Sequence, residues 1–245
     1  MKKALSRIFA ALIFCLGLLI SFLLNPSLSY GHATTYKNLI IHHNGDLNPE
    51  IKKVIDLSLE KVKQAELYRP GFKSELCLNQ GLYPRVVQAV LGDDVFTAFS
   101  NKVVVLGEAH PQFDRFRKWG RTLKYSQFLS HALLHNFQFE YHGLIDANPL
   151  GRHPNWKWEG YVEYEVLGQL ETIEGFAQLI AQPATHDFDW IELTATEGTI
   201  KRHIRYLAMV KYCFEVWGWD YETLMASTVQ EEELLELIST YKKRH

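Results

Sequence analysis

The sequence predicts an α+β fold: a mixed, mostly N-terminal sheet with helices, followed by a helical C-terminal half. Three observations carry this. Short β-branched runs cluster before residue 110, longer stretches with near-helical apolar spacing follow, and no repeat period or low-complexity tract interrupts that order. With 245 residues, 47% of them hydrophobic and 22% charged, the chain has the composition of one globular domain with an unusual N-terminus.

At that end Lys2, Lys3 and Arg7 precede an uncharged run from Ile8 to Leu24. Asn25-Pro26 then breaks the helix, and Ser29-Tyr30-Gly31 and Gly31-His32-Ala33 both offer small-x-small cleavage sites. The run also reaches the lower limit for crossing a hydrocarbon core. Residues 1–33 are therefore expected to be a signal peptide or an N-terminal membrane anchor, with residues 8–24 as the tether in the second case. Residues 34–245 form the body, secreted, periplasmic or anchored on the extracytoplasmic side. Cys15 lacks the small residue that precedes a lipidated cysteine.

In the body, 37–43 (Lys-Asn-Leu-Ile-Ile-His-His) reads as a strand, and Asn44-Gly45-Asp46 as a turn. From Glu50 to Leu67, Ile51, Val54, Ile55, Leu59 and Val62 recur at helical spacing. Ser74–Leu78 and Lys102–Gly107 read as two more strands, the second β-branched and inside the sheet. Residues 83–99 between them form a helical or irregular excursion. A helix over Thr122–Phe139 is apolar nearly all round and hence buried. Breaks at Pro149 and Pro154 precede a helix starting near Trp156, and Pro183 precedes helices over His203–Trp217 and Glu231–Tyr241. Residues 83–125 and 183–200 are left to wall any cleft.

A formal charge of -2 and scattered Lys/Arg residues exclude a nucleic-acid surface. No C-x-x-C occurs, so neither redox exchange nor a thiolate zinc cage is supported. Cys77 and Cys213 either close one long disulfide loop or remain two buried thiols.

The chemistry concentrates between residues 131 and 163. His131 and His135, four apart on a helix, project from one face a turn apart and can converge on one metal ion. Glu159 and Glu163 repeat that spacing on the next helix, and Glu159 supplies a carboxylate for a third ligand. The plain alternative is a pair of core histidines with satisfied ring nitrogens.

Ser130-His131-Ala132-Leu133-Leu134-His135-Asn136-Phe137-Gln138 and Trp156-Lys157-Trp158-Glu159-Gly160-Tyr161-Val162-Glu163-Tyr164 together resemble the gluzincin metallopeptidases, most closely the small bacterial peptidases of the MA-like type. The resemblance spans roughly residues 37–235. It implies a zincin-like fold, zinc bound by His131, His135 and Glu159, and a peptide or protein as substrate or ligand. It also implies Glu163 as support for a ligating histidine, and Tyr206 as an oxyanion donor or, otherwise, a core aromatic with a wet tip. Trp156 and Trp158 are expected to pack the helix start.

The chain departs from the family at Ala132, where H-E-x-x-H places the glutamate that takes the proton from the attacking water. Glu140, His142 and His153 are the candidates to replace it, although Glu140 lies about 140° around the helix from His135. Three readings follow: a zinc-binding but catalytically impaired metallopeptidase-like protein, an active zinc hydrolase with a nonstandard base, or a structural protein without metal.

Overall fold

The computed structural model describes residues 2–92, 96–118, 120–183, 189–194 and 197–241. Parts of the expected cleft walls, at 93–95, 119, 184–188 and 195–196, lie outside the described residues. Helix α1 (Lys2–Leu24) is exposed and apolar, and leads through a short turn at Pro26–Leu28 into strand β1 (His32–Tyr36). Strand β2 (Leu39–His43), helix α2 (Ile51–Val62), strand β3 (Ser74–Cys77), helix α3 (Tyr83–Leu91), strand β4 (Phe96–Phe99) and strand β5 (Lys102–Val105) follow. The five strands form one sheet in the order β1-β2-β3-β5-β4. Its inner pairs β2/β3 and β3/β5 are parallel, and its outer pairs β1/β2 and β4/β5 antiparallel. The expected mixed sheet is present. It begins earlier than expected, because β1 starts before residue 34 and Tyr30 is already buried.

Side-chain alternation along the strands gives the sheet two different faces. Leu39, Ile41, Leu76, Val103 and Val105 join α2 and the later helices in the main core. Cys77, Val104 and Leu106 instead pack with Tyr30, Tyr83 and Val87 in a smaller core, which Phe22 and Leu23 of α1 partly cover. That second face also holds a buried ion cluster, in which His42 Nε2 lies 2.7 Å and Lys102 Nζ 3.2 Å from the two oxygens of Glu75. Burial alone would raise the Glu75 carboxyl, but His42 and Lys102 hold it below its usual value. Cys77 and Cys213 belong to different cores and are free thiols, which rules out the long disulfide loop.

A three-stranded antiparallel sheet, β6 (Glu108–His110), β7 (Arg115–Lys118) and β8 (Arg121–Lys124), occupies the start of the expected helix at Thr122. Helix α4 begins at Tyr125 and runs to Asp146, interrupted at Gly143 by a positive φ of 76°. Asp114 fixes its first turn, with Oδ1 accepting from the Ser126 amide at 2.7 Å and Oδ2 from the Ser126 hydroxyl at 2.6 Å. Small serines let α2 and α4 pack closely: the Ser58 hydroxyl donates to the Ser126 carbonyl, and the Ser130 hydroxyl to the Ser58 carbonyl. The second half comprises α5 (Asn155–Leu167), α6 (Ile173–Ala181), the hairpin β9 (Trp190–Glu192) and β10 (Gly198–Ile200), α7 (Lys201–Glu215), α8 (Tyr221–Ala226) and α9 (Glu231–Thr240).

Helices α5 and α7 touch where Gly160 meets the backbone of Tyr206. A Cβ at Gly160 would lie 2.6 Å from the Tyr206 carbonyl oxygen, too close for either helix to stay in place. Gly160→Ala is therefore expected to destabilise the protein by about 1–3 kcal/mol, the usual cost of overpacking. A thermal melt checks this, and an unchanged midpoint would show that the helix spacing has slack.

Candidate metal centre

The crossing of α4, α5 and α7 brings together His131 and His135, Glu159 and Glu163, and His203 from distant stretches of sequence. Buried Gln127 bolts α4 to the strand before α7, donating to the Gly198 carbonyl at 2.7 Å and accepting from the Gly198 amide at 3.2 Å. One turn further along α4, His131 and His135 point their Nε2 atoms at each other, 3.1 Å apart. Glu159 of α5 places Oε2 3.5 Å from His131 Nε2 and 3.3 Å from His135 Nε2. These three residues form a group whose donor atoms could hold a metal ion. Their side chains retain 19%, 11% and 26% exposure for His131, His135 and Glu159, so the group opens to solvent on one side.

The outer ring nitrogen of His135 is held as well. His135 Nδ1 sits 2.8 Å from Gln138 Oε1, while the Gln138 amide nitrogen donates to the Trp158 carbonyl at 3.0 Å. Because that carbonyl claims the Gln138 nitrogen, Oε1 faces the imidazole and His135 Nδ1 must be the donor. In the neutral ring, Nε2 then carries a free lone pair directed at Glu159 and His131. Trp158 stacks on the same imidazole, with ring centroids 6.0 Å apart and planes 19° from parallel. The tryptophan expected only to pack the helix start thus also backs a candidate ligand.

Glu163 stands behind His131. Its Oε1 lies 3.6 Å from His131 Nδ1, accepts from the Thr199 hydroxyl at 2.8 Å and lies 2.8 Å from His203 Nδ1. The carboxylate is buried, and Oε2 has no hydrogen-bond partner. His203 lies parallel to His131, with ring planes 3° apart and centroids at 6.3 Å.

The electrostatics follow from this packing. Burial alone would raise the Glu159 carboxyl, but the charges and hydrogen bonds of His135 and His131 hold it well below the usual carboxylate range. Glu163 is likewise lowered, with burial outweighed by His131, His203 and Thr199. The two histidines shift the opposite way. Burial lowers His135, but Glu159 and Gln138 raise it overall; burial lowers His203, but Glu163 and Glu159 raise it overall.

Tyr206 borders the site: it is buried in the main core with His203 as its ring neighbour at 6.0 Å, and burial, with the nearby Glu231 and Glu159 charges adding, raises its hydroxyl. It is His203 that lies parallel to His131. The remaining expected residues lie elsewhere. His142 Nε2 lies 2.9 Å from the Tyr221 hydroxyl, and His153 Nε2 lies 2.8 Å from the Asp146 carbonyl. Both imidazoles pack on Trp158, and Glu140 lines a separate cavity of about 640 Å³ with Arg69 and Phe137. The residues that sequence reasoning passed over are His203, Gln138 and Thr199. His203 gave one local signal, standing three positions before Tyr206 and so on the same helix face. Compared with protein-family models, with curated proteins and with solved structures, the chain matches none of them.

Proposed function

We propose that this chain is an extracytoplasmic zinc-binding protein of the gluzincin metallopeptidase type, with peptide hydrolysis impaired or altered because Ala132 replaces the general base. The observation that carries the metal assignment is the spacing of the three donor atoms. A tetrahedral zinc with bonds of about 2.0–2.1 Å separates its ligand atoms by roughly 3.3 Å. Separations of 3.1, 3.3 and 3.5 Å match that requirement. Two lone-pair nitrogens and a carboxylate oxygen are also the donor set of a site that keeps one position open.

Zinc bound there would polarise a carbonyl and make a water molecule more acidic. His131, His135 and Glu159 hold the ion, while Gln138 fixes the His135 ring through Nδ1 and the Glu163 carboxylate places its charge 3.6 Å from His131 Nδ1. Ala132 has no atom that can accept a proton. The apolar helix α1 supports export of the body, whose ligand on this reading is a peptide or protein segment.

A second reading, an active hydrolase with a nonstandard base, is favoured by His203. Its imidazole is anchored on Glu163 and raised towards the charged form, so it can hold a proton beside the ligands and deliver it to a leaving amine.

Metal analysis of the full-length protein, purified without chelators, tests the proposal. One zinc per chain is expected, and a metal-free protein that takes up none on titration would leave only the structural reading. Glu163→Gln, which removes the charge between His131 and His203, is expected to weaken zinc binding about 10- to 100-fold. Competition against a chromogenic chelator measures this, and an unchanged affinity would reduce Glu163 to a packing role.

A further inference from the structure

We propose that α1 is retained as a permanent membrane anchor whose outer end is part of the folded domain, so that the bilayer surface lies against Leu28 and Leu82. Leu5–Leu24 is 20 residues with a mean hydropathy of 2.5, exposed along its length except for partly buried residues such as Phe22 and Leu23 near its end. At 1.5 Å per residue it spans about 30 Å, the thickness of a hydrocarbon core. Lys2, Lys3 and Arg7 at its start favour a cytoplasmic N-terminus, which places the domain outside.

The end of this helix is built into the sheet's second face. The Tyr83 hydroxyl donates to the Leu23 carbonyl at 2.5 Å, and the Phe22 ring packs on Tyr83 with centroids 5.6 Å apart. Pro26 is buried immediately afterwards. Tyr30 closes the same face, its hydroxyl donating to the Leu78 carbonyl at 2.6 Å and its ring 5.9 Å from Tyr83.

Cleavage after Gly31 or Ala33 would remove Phe22, Leu23, Pro26 and Tyr30 together. The buried Cys77, Val104 and Tyr83 side chains would lose that cover, and cleavage after Ala33 would also remove the first residues of β1. A dispensable leader has no reason to supply core residues to the domain it delivers.

The joint also fixes where the lipid must be. Leu24 ends the apolar span and therefore sits near the membrane surface, and Tyr83 is hydrogen-bonded to the residue before it. Leu28 and Leu82, which flank that joint, are 67% and 58% exposed. Val90 and Leu91 are exposed at the far end of α3, the helix that Tyr83 begins. The only described helix long and apolar enough to cross a bilayer thus ends at the joint with Tyr83, the neighbour of Leu82, which makes a lipid surface the natural cover for Leu28 and Leu82.

Two measurements on the full chain test this. In cell membranes, the mature protein is expected to resist extraction by alkaline carbonate and to yield peptides covering 1–33 by mass spectrometry. A soluble mature chain beginning at His32 or Thr34 would overturn the proposal. In phosphatidylcholine vesicles, a nitroxide on Leu82→Cys in a Cys15→Ser background is expected to collide several-fold more often with lipid-soluble oxygen than with water-soluble chromium oxalate. The opposite preference, or a contact with a second copy of the chain in its place, would show that the leucines do not face lipid. Leu82 is exposed, so its replacement leaves the core intact.

Discussion

Replacing His135 with alanine is expected to abolish stoichiometric zinc binding, lowering affinity by well over 100-fold. It removes one of three donors outright, whereas loss of a supporting residue alone typically costs 10- to 100-fold. His131→Ala and Glu159→Ala should behave alike, because each breaks the same triangle of donor atoms. Chelation of wild-type protein should lower the melting temperature by on the order of 10 °C, since a ligand present at several hundred times its Kd contributes about 3–4 kcal/mol. The three variants should show no such response. A variant that retains one zinc per chain would show that the ion is held elsewhere.

The same site fixes the sign of the pH dependence. Glu159 is held well below the usual carboxylate range, so it stays ionised as the solution becomes mildly acidic. Against the effect of burial, Glu159 and Gln138 raise His135 above its ordinary 6.5, so a proton competes with the metal for this ring more strongly than for a free imidazole. Zinc affinity should therefore rise as pH increases through 6.5 and beyond. Without metal, the signs give a different profile. The raised His135 and His203 contribute stability that is present below 6.5 and lost as pH rises through their folded values. The lowered Glu159 and Glu163 contribute stability that is present above 4.5 and lost as pH falls through theirs. The metal-free protein should thus be most stable between about pH 4.5 and 6.5, and added zinc should move the optimum upwards.

How far the sequence exposes this site depends on distance along the chain. The pairs His131/His135 and Glu159/Glu163 are each written at helical spacing, and the apolar runs of β2, β3 and β5 declare the inner sheet. Strands β6 to β8 carry Arg115, Arg117, Arg121 and Lys124, and only Phe116 and Leu123 of β7 and β8 are buried, so no apolar alternation marks them. Helix α4 starts at Tyr125 and not at Thr122 for a related reason. Thr122 and Leu123 suit either state, and the choice is made by Asp114, which caps the helix from across a turn. His203 lies on a helix far from the other histidines, and only the close approach permitted at Gly160 brings it beside His131. Local periodicity encodes the candidate ligands, whereas the groups packed around them depend on tertiary packing.

Ala132→Glu is the change expected to alter activity most. A positioned carboxylate that takes a proton from water and returns it to the leaving amine contributes on the order of 10²–10⁴-fold. Zinc-loaded Ala132→Glu should therefore cleave a peptide library at least about 100-fold faster than wild type. The gain has a structural cost, because Ala132 is 1% exposed within the main core. A carboxylate leaving that wall unsatisfied would cost about 1–3 kcal/mol, so the variant should melt several degrees lower in the absence of zinc. Metal should restore part of that loss, because the new oxygen would gain a cation one residue from His131. The double variant Ala132→Glu with His135→Ala supplies the control, and it should lose both zinc and the acquired activity. A folded, zinc-loaded Ala132→Glu protein that cleaves no faster than wild type would show that the missing carboxylate is not what limits the chemistry. Measurable wild-type cleavage that disappears in His203→Gln while zinc stays bound would instead assign the proton transfer to the Glu163–His203 pair.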